Sequence, residues 1–343
     1  WTEAEMWEAV ERGPHKSSLT AAAIAHFAEE SAEKVRVGQA KLVLWDDIKD
    51  NPPPQLKVSP IMVQAHKSKA FRSILDLSFR LRLRSGGFLS SVNEATVKLA
   101  PQGALDQLGH ALSRIIHAFA EAEDDAKIFM AKWDIKDGFW RMDCAEGEEY
   151  NFAYVLPQEE GKPITLVVPT SLQMGWVESP PYFCAATETA RDIADTYCNT
   201  PVGSLPDHKF IKHVRGDAAV GALPERDASD SPCRYCLEVY VDDFMSIVIP
   251  TSREQLDHVA TAVMTGNHDV FPANIIDGND PISEKKLLKG KGQYSPFKTL
   301  LGFDFDGDRK TLWLEEEKRA KLLTILHQWL RATSREHGIP FIE

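Results

Sequence analysis

A chain of 343 residues with 43% hydrophobic content is long enough for two or three core-bearing lobes. Its net charge of −12 counts against a nonspecific nucleic-acid binder, which needs a basic surface. No apolar run reaches the ~18 residues that span a membrane, and no secretory segment is visible. Five Cys, an odd number at irregular spacing, argue against a disulfide framework, so the expectation is an intracellular protein, cytoplasmic or nuclear, that is not secreted.

Residues 1–40 read as helical, and Trp1, Trp7 and Trp45 as core or contact residues. Asn51-Pro52-Pro53-Pro54 breaks any regular element. Strand-like runs Ile61–Gln64 and Arg72–Leu77 follow, joined by a basic turn at 66–69. One amphipathic helix carries Leu105, Leu108, Leu112, Ile115, Ile116 and Phe119 on one face. A strand is predicted over Ile128–Ile135 and a hairpin over Asn151–Val168. Pro180 and Pro181 open a helix with Phe183, Ala186, Ala190, Ile193 and Tyr197 at helical spacing. A polar insert fills 199–236. Ser252 and Gln255 read as a capping box for a further helix. Asp306-Gly307, between Leu300–Phe305 and Thr311–Leu314, predicts a hairpin, and a last helix runs from about Glu315 to Leu330. The irregular alternation favours an α+β fold over a doubly wound sheet.

Tyr240-Val241-Asp242-Asp243 is flanked by Leu237 and Val239 before it and by Phe244, Met245, Ile247, Val248 and Ile249 after it. That pattern predicts two strands with adjacent carboxylates at their turn. Such a pair resists burial unless a cation neutralises it, and hard oxygen ligands suit Mg²⁺. A second apolar strand also ends in an acid, Asp134, followed by Ile135-Lys136-Asp137-Gly138-Phe139. Two-metal phosphoryl chemistry uses carboxylates from different strands meeting at one point, which makes Asp134 and Asp242 a candidate pair. The charge distribution fits a local polyanion track: eight Lys or Arg against two acids between Lys57 and Lys98, and five Lys with no acid from Lys285 to Lys298. Two solvated faces are the alternative.

At these residues the chain resembles the reverse transcriptases of retroelements, of LTR-type and related retrotransposons, from about Val58 to Leu326. The motifs occur in the family's order. Lys67-Ser68-Lys69 through Arg72 to Leu77 resembles the fingers hairpin, and Asp134–Phe139 palm motif A. Leu172-Gln173-Met174-Gly175 through Ser179-Pro180 resembles motif B, where Gln173 stands in place of the usual Pro. Tyr240–Asp243 resembles motif C, Ser283–Lys286 motif D and Leu300–Phe303 the primer grip.

The resemblance implies an α+β right-hand polymerase: an N-terminal helical extension (1–55), fingers (56–128, with part of the 105–120 helix bridging to the palm), a palm with antiparallel sheet packed on helices (129–314, insert 199–236), and the start of a thumb or connection (315–343). It implies RNA-directed DNA synthesis with two Mg²⁺, or Mn²⁺ in their place, held by Asp134, Asp242, Asp243 and the Ile135 carbonyl. Arg72 with Lys69 or Lys67 would grip the incoming dNTP, Asp137 and Gly138 would offer backbone N–H groups to its phosphates, and Phe139 would exclude a 2′-hydroxyl. Gly175 and Ser179 would shape the template and nucleotide floor, Met174 would stand in the motif's variable position beside the dNTP, and Lys286 or Lys285 would lie near the leaving pyrophosphate. The partners implied are an RNA or DNA template-primer and further domains of a longer polyprotein, a full thumb and RNase H. The alternatives are a viral-type RNA-templated RNA polymerase and an inactive, domesticated nucleic-acid binder.

Two decoys remain. His208 and His213 with Cys233 and Cys236 have the look of a zinc set within the insert, against a polar loop with ordinary thiols. Asp304, Asp306, Asp308 and Glu315 mimic a calcium loop but have Arg309 where Gly is needed, and read as a hairpin turn.

Overall fold

Helices and antiparallel sheets alternate irregularly along the chain in this computed structural model, which describes residues 1–65, 71–227 and 232–331. Helices α1 (Glu3–Arg12) and α2 (Ala21–Arg36) precede strand β1 (Ala40–Leu44) and the one-turn α3 (Trp45–Ile48). Strands β2 (Ile61–Ala65) and β3 (Phe71–Leu75) follow, then α4 (Val92–Ala95), α5 (Gln102–Gln107), α6 (Ala111–Ala120) and β4 (Phe129–Asp134). Next come β5 (Tyr154–Val155), β6 (Thr165–Pro169), α7 (Ser179–Cys198), α8 (Ala218–Gly221), β7 (Arg234–Tyr240) and β8 (Asp243–Ile249). The last elements are α9 (Arg253–Val270), α10 (Glu284–Leu287), β9 (Phe297–Leu300), β10 (Phe303–Asp306), β11 (Thr311–Leu314) and α11 (Glu316–Arg331). No helix among the described residues is long and apolar enough to cross a membrane.

The chain forms two units, each assembled from three segments. One comprises Trp1–Leu108, Ile135–Ala190 and Asn267–Ile282. The other comprises Gly109–Asp134, Arg191–Gly266 and Ser283–Glu343. In the first, β6 is the middle strand of an antiparallel sheet ordered β1-β6-β5. Successive strand residues face opposite ways, and both faces are covered. Leu166 and Val168 join Met6, Val10 and Trp45 in one core, whereas Val167 joins Phe27, Ile61 and Leu75 in another. Covering both faces explains why this strand reads as a continuous apolar run. Trp45 is buried with Trp7 edge-on against it, and Trp1 packs on the same core.

In the second unit, β8 lies between β4 and β7. The register pairs Met130 with Ile247, Lys132 with Met245 and Asp134 with Asp243. Met130, Met245 and Ile247 pack against Ile115, Phe119, Leu300 and Phe305. On the opposite face, Trp133 meets the Tyr294 ring, and Ser246 Oγ donates to the buried Tyr294 hydroxyl at 2.9 Å. The sheet is anchored to α6 by Arg114, whose Nε and Nη2 each lie 2.6 Å from an oxygen of Glu238, a carboxylate 2% exposed.

Several expectations are corrected. The apolar stripe from Leu105 to Phe119 is not one helix: a 3₁₀ turn at Leu108–His110 divides α5 from α6, at the poor helix former Gly109. The run Leu300–Phe305 is two strands, because Leu301 and Gly302, at φ 50° and 84°, make a tight turn between β9 and β10. The Ser252 capping box does not form. Gln255 Oε1 accepts from the Thr251 N–H at 2.9 Å, and Ser252 Oγ is buried without a partner. Capping boxes stand instead at Thr2–Glu5 and Ser91–Glu94. The Asp306-Gly307 turn joins β10 to β11, the hairpin expected in place of a calcium loop.

Candidate active site

The carboxylates cluster at one end of the β4-β8-β7 sheet, within the second unit. The buried run Phe129–Trp133 carries β4 to its last residue, Asp134. The register sets Asp134 opposite Asp243, and Asp243 opposite Tyr240. Val241 and Asp242 are therefore the whole turn between β7 and β8. Val241 lies at φ 57°, a left-handed conformation unfavourable for a β-branched residue.

Residues directly opposite in a ladder share a face, and like charges so placed repel. Here each of the two facing acids is matched by a lysine. Lys286 Nζ, on α10, contacts Asp134 Oδ1, and Lys132 Nζ lies 2.6 Å from Asp243 Oδ2. Among the described residues Asp242 has no such partner, and burial together with the Asp243 charge pushes its carboxyl above the ordinary range. Burial and the nearby Lys291 and Lys132 pull the Lys286 ammonium down to about 8. At that value it is still a cation at pH 7, and the Asp134 carboxylate in contact with it favours the cation further. The Asp134 carbonyl accepts from the Ser283 N–H at 3.0 Å, which ties the strand end to the start of α10. Ile135, the next residue, is 3% exposed.

The donor set of Asp134, Asp242 and Asp243 is all hard oxygen, which suits Mg²⁺, and the strained charge balance at Asp242 calls for a cation. Among the described residues, however, no three His, Cys, Asp or Glu side chains are gathered to hold a metal. The two lysines occupy Asp134 and Asp243, so a metal at Asp134 would require Lys286 to leave it.

Of the described residues expected at the nucleotide, Lys285 and Lys286 lie in the second unit and the others in the first. Arg72, on β3, donates through Nη2 to Met174 Sδ at 2.7 Å, and both line a cavity of ≈ 270 Å³ with Trp140 and Gln173. Gly175 needs to be glycine: its φ is 101°, and a Cβ would stand 3.2 Å from the Leu75 carbonyl oxygen. Asn93 supports that loop, donating to the Gly175 carbonyl and accepting from the Val177 N–H, both at 2.9 Å. No motif pointed to Asn93. Asp137 is exposed at φ 60° and opens the 3₁₀ turn Gly138–Arg141. Phe139 meets the buried Phe183 edge-on, with centroids 5.1 Å apart. Lys67 and Lys69 lie outside the described residues.

The zinc set is not assembled. Cys236 lies within β7, paired to Ile247, so Cys233 and Cys236 do not form the turn that a paired-cysteine ligand motif requires. Burial pushes both thiols up to about 12, away from the thiolate that binds zinc. His208 Nδ1 accepts from the Phe210 N–H instead.

No protein-family model matches this sequence, and no curated protein sequence matches it. Among solved structures, the chain is similar to the foamy viral protease-reverse transcriptase dRH in complex with double-stranded DNA, at 16% identity and a TM-score of 0.44. The similarity covers 84% of this chain and 34% of that one, so the chain spans about a third of the length of the foamy virus protein.

Proposed function

We propose that this chain is the fingers-palm core of a reverse transcriptase, a retroelement polymerase that extends a primer with dNTPs on an RNA or DNA template. The observation that carries the reading is the register of Asp134 against Asp243, with Asp242 in the adjoining turn. Acids about a hundred residues apart in sequence thereby share one sheet end, and their flanks match two palm motifs.

Asp134 and Asp242 would hold Mg²⁺, with Asp243 and the Ile135 carbonyl in support. Two such ions supply charge neutralisation at the attacking 3′-oxygen and at the leaving pyrophosphate. The chain's own groups do the rest. Lys286, freed from Asp134, presents its Nζ proton to the departing pyrophosphate. Lys132 pairs with Asp243 and fixes its position. Arg72, whose planar fork suits phosphate, takes the triphosphate. Asp137 and Gly138 offer backbone N–H groups to it, and the Phe139 ring bars a ribose 2′-hydroxyl.

Primer extension on an RNA template tests this directly. The wild type should incorporate dNTPs only when Mg²⁺ or Mn²⁺ is present, and Asp242→Asn should abolish incorporation. Activity retained in Asp242→Asn removes the assignment. Preference for rNTPs in the wild type would favour an RNA-synthesising enzyme instead.

A further inference from the structure

The turn that carries Phe139 does not hold itself. It is a four-residue 3₁₀ element, Gly138–Arg141, closed at its ends by backbone bonds from Trp140 N to Asp137 O and from Met142 N to Phe139 O. Such an element has too few internal bonds to set a side chain's position, so its neighbours must. On one side Arg141 serves as a clamp. Its guanidinium donates to the carbonyls of Lys136 at 2.7 Å, Asp280 at 2.6 Å, Pro272 at 3.3 Å and Asn279 at 3.4 Å.

On the other side the clamp comes from the N-terminal helix. Lys34, in the last turn of α2, places its ammonium 4.0 Å from the centroid of the Trp140 ring. The same ammonium donates to Gln39 Oε1 at 2.9 Å. Gln39 Nε2 in turn donates to the Trp140 carbonyl at 3.1 Å. Lys34, Gln39 and Trp140 thus close a triangle that grips Trp140 by both its ring and its backbone. The gripped turn is pressed against an aromatic wall. A Cβ on Gly138 would stand 3.0 Å from the Phe183 ring, and Phe183 is itself backed by Phe271.

We propose that Lys34 and Gln39 are positioning residues for sugar selection: by fixing Trp140 they fix the neighbouring Phe139 ring, so the N-terminal helix helps to determine whether a deoxyribose or a ribose is accepted. The inference rests on the polymerase reading above. It goes beyond that reading in assigning a role to a helix that no motif of the chain implicated. The interaction between an ammonium and an indole face contributes enough for its loss to change discrimination about fivefold.

The test measures kcat and KM for a dNTP and for the matching rNTP in primer extension with the full chain. Lys34→Met should lower dNTP-over-rNTP discrimination about fivefold through a lower rNTP KM, with dNTP kcat unchanged. Lys34→Arg should restore discrimination, because a guanidinium also sits on an indole face. Gln39→Leu is a second, independent variant for the case in which Lys34→Met does not fold, and should act in the same direction. Phe139→Val is the reference for a fully opened gate. The inference is overturned if Phe139→Val admits rNTPs while neither clamp variant alters the ratio, or if the clamp variants lower incorporation of both sugars equally. If the wild type incorporates no nucleotide, or Phe139→Val leaves sugar preference unchanged, it is the polymerase or gate reading that fails, and the positioning role falls with it.

Discussion

If Asp134 holds a metal as proposed, its contact with Lys286 makes that binding a competition, and removing the lysine should reveal it. Two unit charges near 4 Å attract by about 4 kcal/mol at an effective dielectric of ~20. The Lys286 side chain is 38% exposed and that of Asp134 10%. Solvent screening, side-chain entropy and desolvation of the ammonium therefore reduce the net value to about 1–2 kcal/mol. In Lys286→Met the carboxylate is left half-buried without a cation, and Mg²⁺ should bind more tightly by that amount, about 5- to 30-fold in Kd. Titration calorimetry with Mg²⁺ on the nucleotide-free protein reads the change, and Mn²⁺ paramagnetic resonance provides a second measure. Lys286→Arg keeps a cation at the site and should bind metal like the wild type. An equal or weaker Kd in Lys286→Met would show that Asp134 is not where the metal and the ammonium compete.

Two further predictions concern the sheet that presents the acids. Arg114→Met strands the buried Glu238 carboxylate and should cost about 3–5 kcal/mol in urea unfolding, whereas Arg114→Met combined with Glu238→Leu should recover most of it; a double variant no more stable than the single one contradicts the pairing. Burial pulls the Lys298 ammonium down to about 8, below its usual value near 10.4. The unfolded chain then binds more protons between about pH 8 and 10, so this group makes stability rise with pH through that window, and its cost is fully present below pH 8. Lys298→Met should be more stable at pH 7 by up to about 3 kcal/mol and should lose that rise. Parallel stability curves for variant and wild type from pH 7 to 10 would exclude it.

The second unit's carboxylate sheet was legible because its signals are local. β4 and β8 are largely apolar, each carries an acid at one end, and the two-residue turn between β7 and β8 leaves one register. The hairpin expected over Asn151–Val168, formed by β5 and β6, and the Pro180 helix are legible for the same reason. What escaped was set by contacts distant in sequence. The strand Ala40–Leu44 leaves Leu42 and Leu44 exposed and is defined mainly by pairing with β6, over a hundred residues away. The split at Gly109 and the turn at Leu301-Gly302 interrupt patterns whose apolar periodicity continues through them. Asn93 and Gln39 carry no motif, since single side-chain amides acquire their roles only when the backbone they bond is brought to them. The lysines on the acids were half legible: Lys286 was singled out as a neighbour of the leaving group, but Lys132 was not, although its place two residues before Asp134 puts it on the same strand face.

Costs concentrated at one place are informative because selection for stability alone would remove them. Four non-glycine residues among those described have positive φ: Asp137, Val241, Leu301 and Lys310. Asp tolerates that conformation, and Leu301 and Lys310 sit in ordinary turns. Val241 is the β-branched member, strained by about 1–2 kcal/mol, and an Asn or Gly there would relieve it. The same two-residue turn holds Asp242, whose carboxyl is disfavoured in its charged form, and adjoins a ladder position where Asp243 faces Asp134. Strain, burial of charge and like-charge opposition thus coincide within the end of one sheet. Elsewhere this sheet follows the rules of a stable core, with apolar faces covered and its buried Glu238 paired. That local breach of those rules, confined to the acids and compensated among the described residues by two lysines, is the feature on which the proposed divalent-cation site rests.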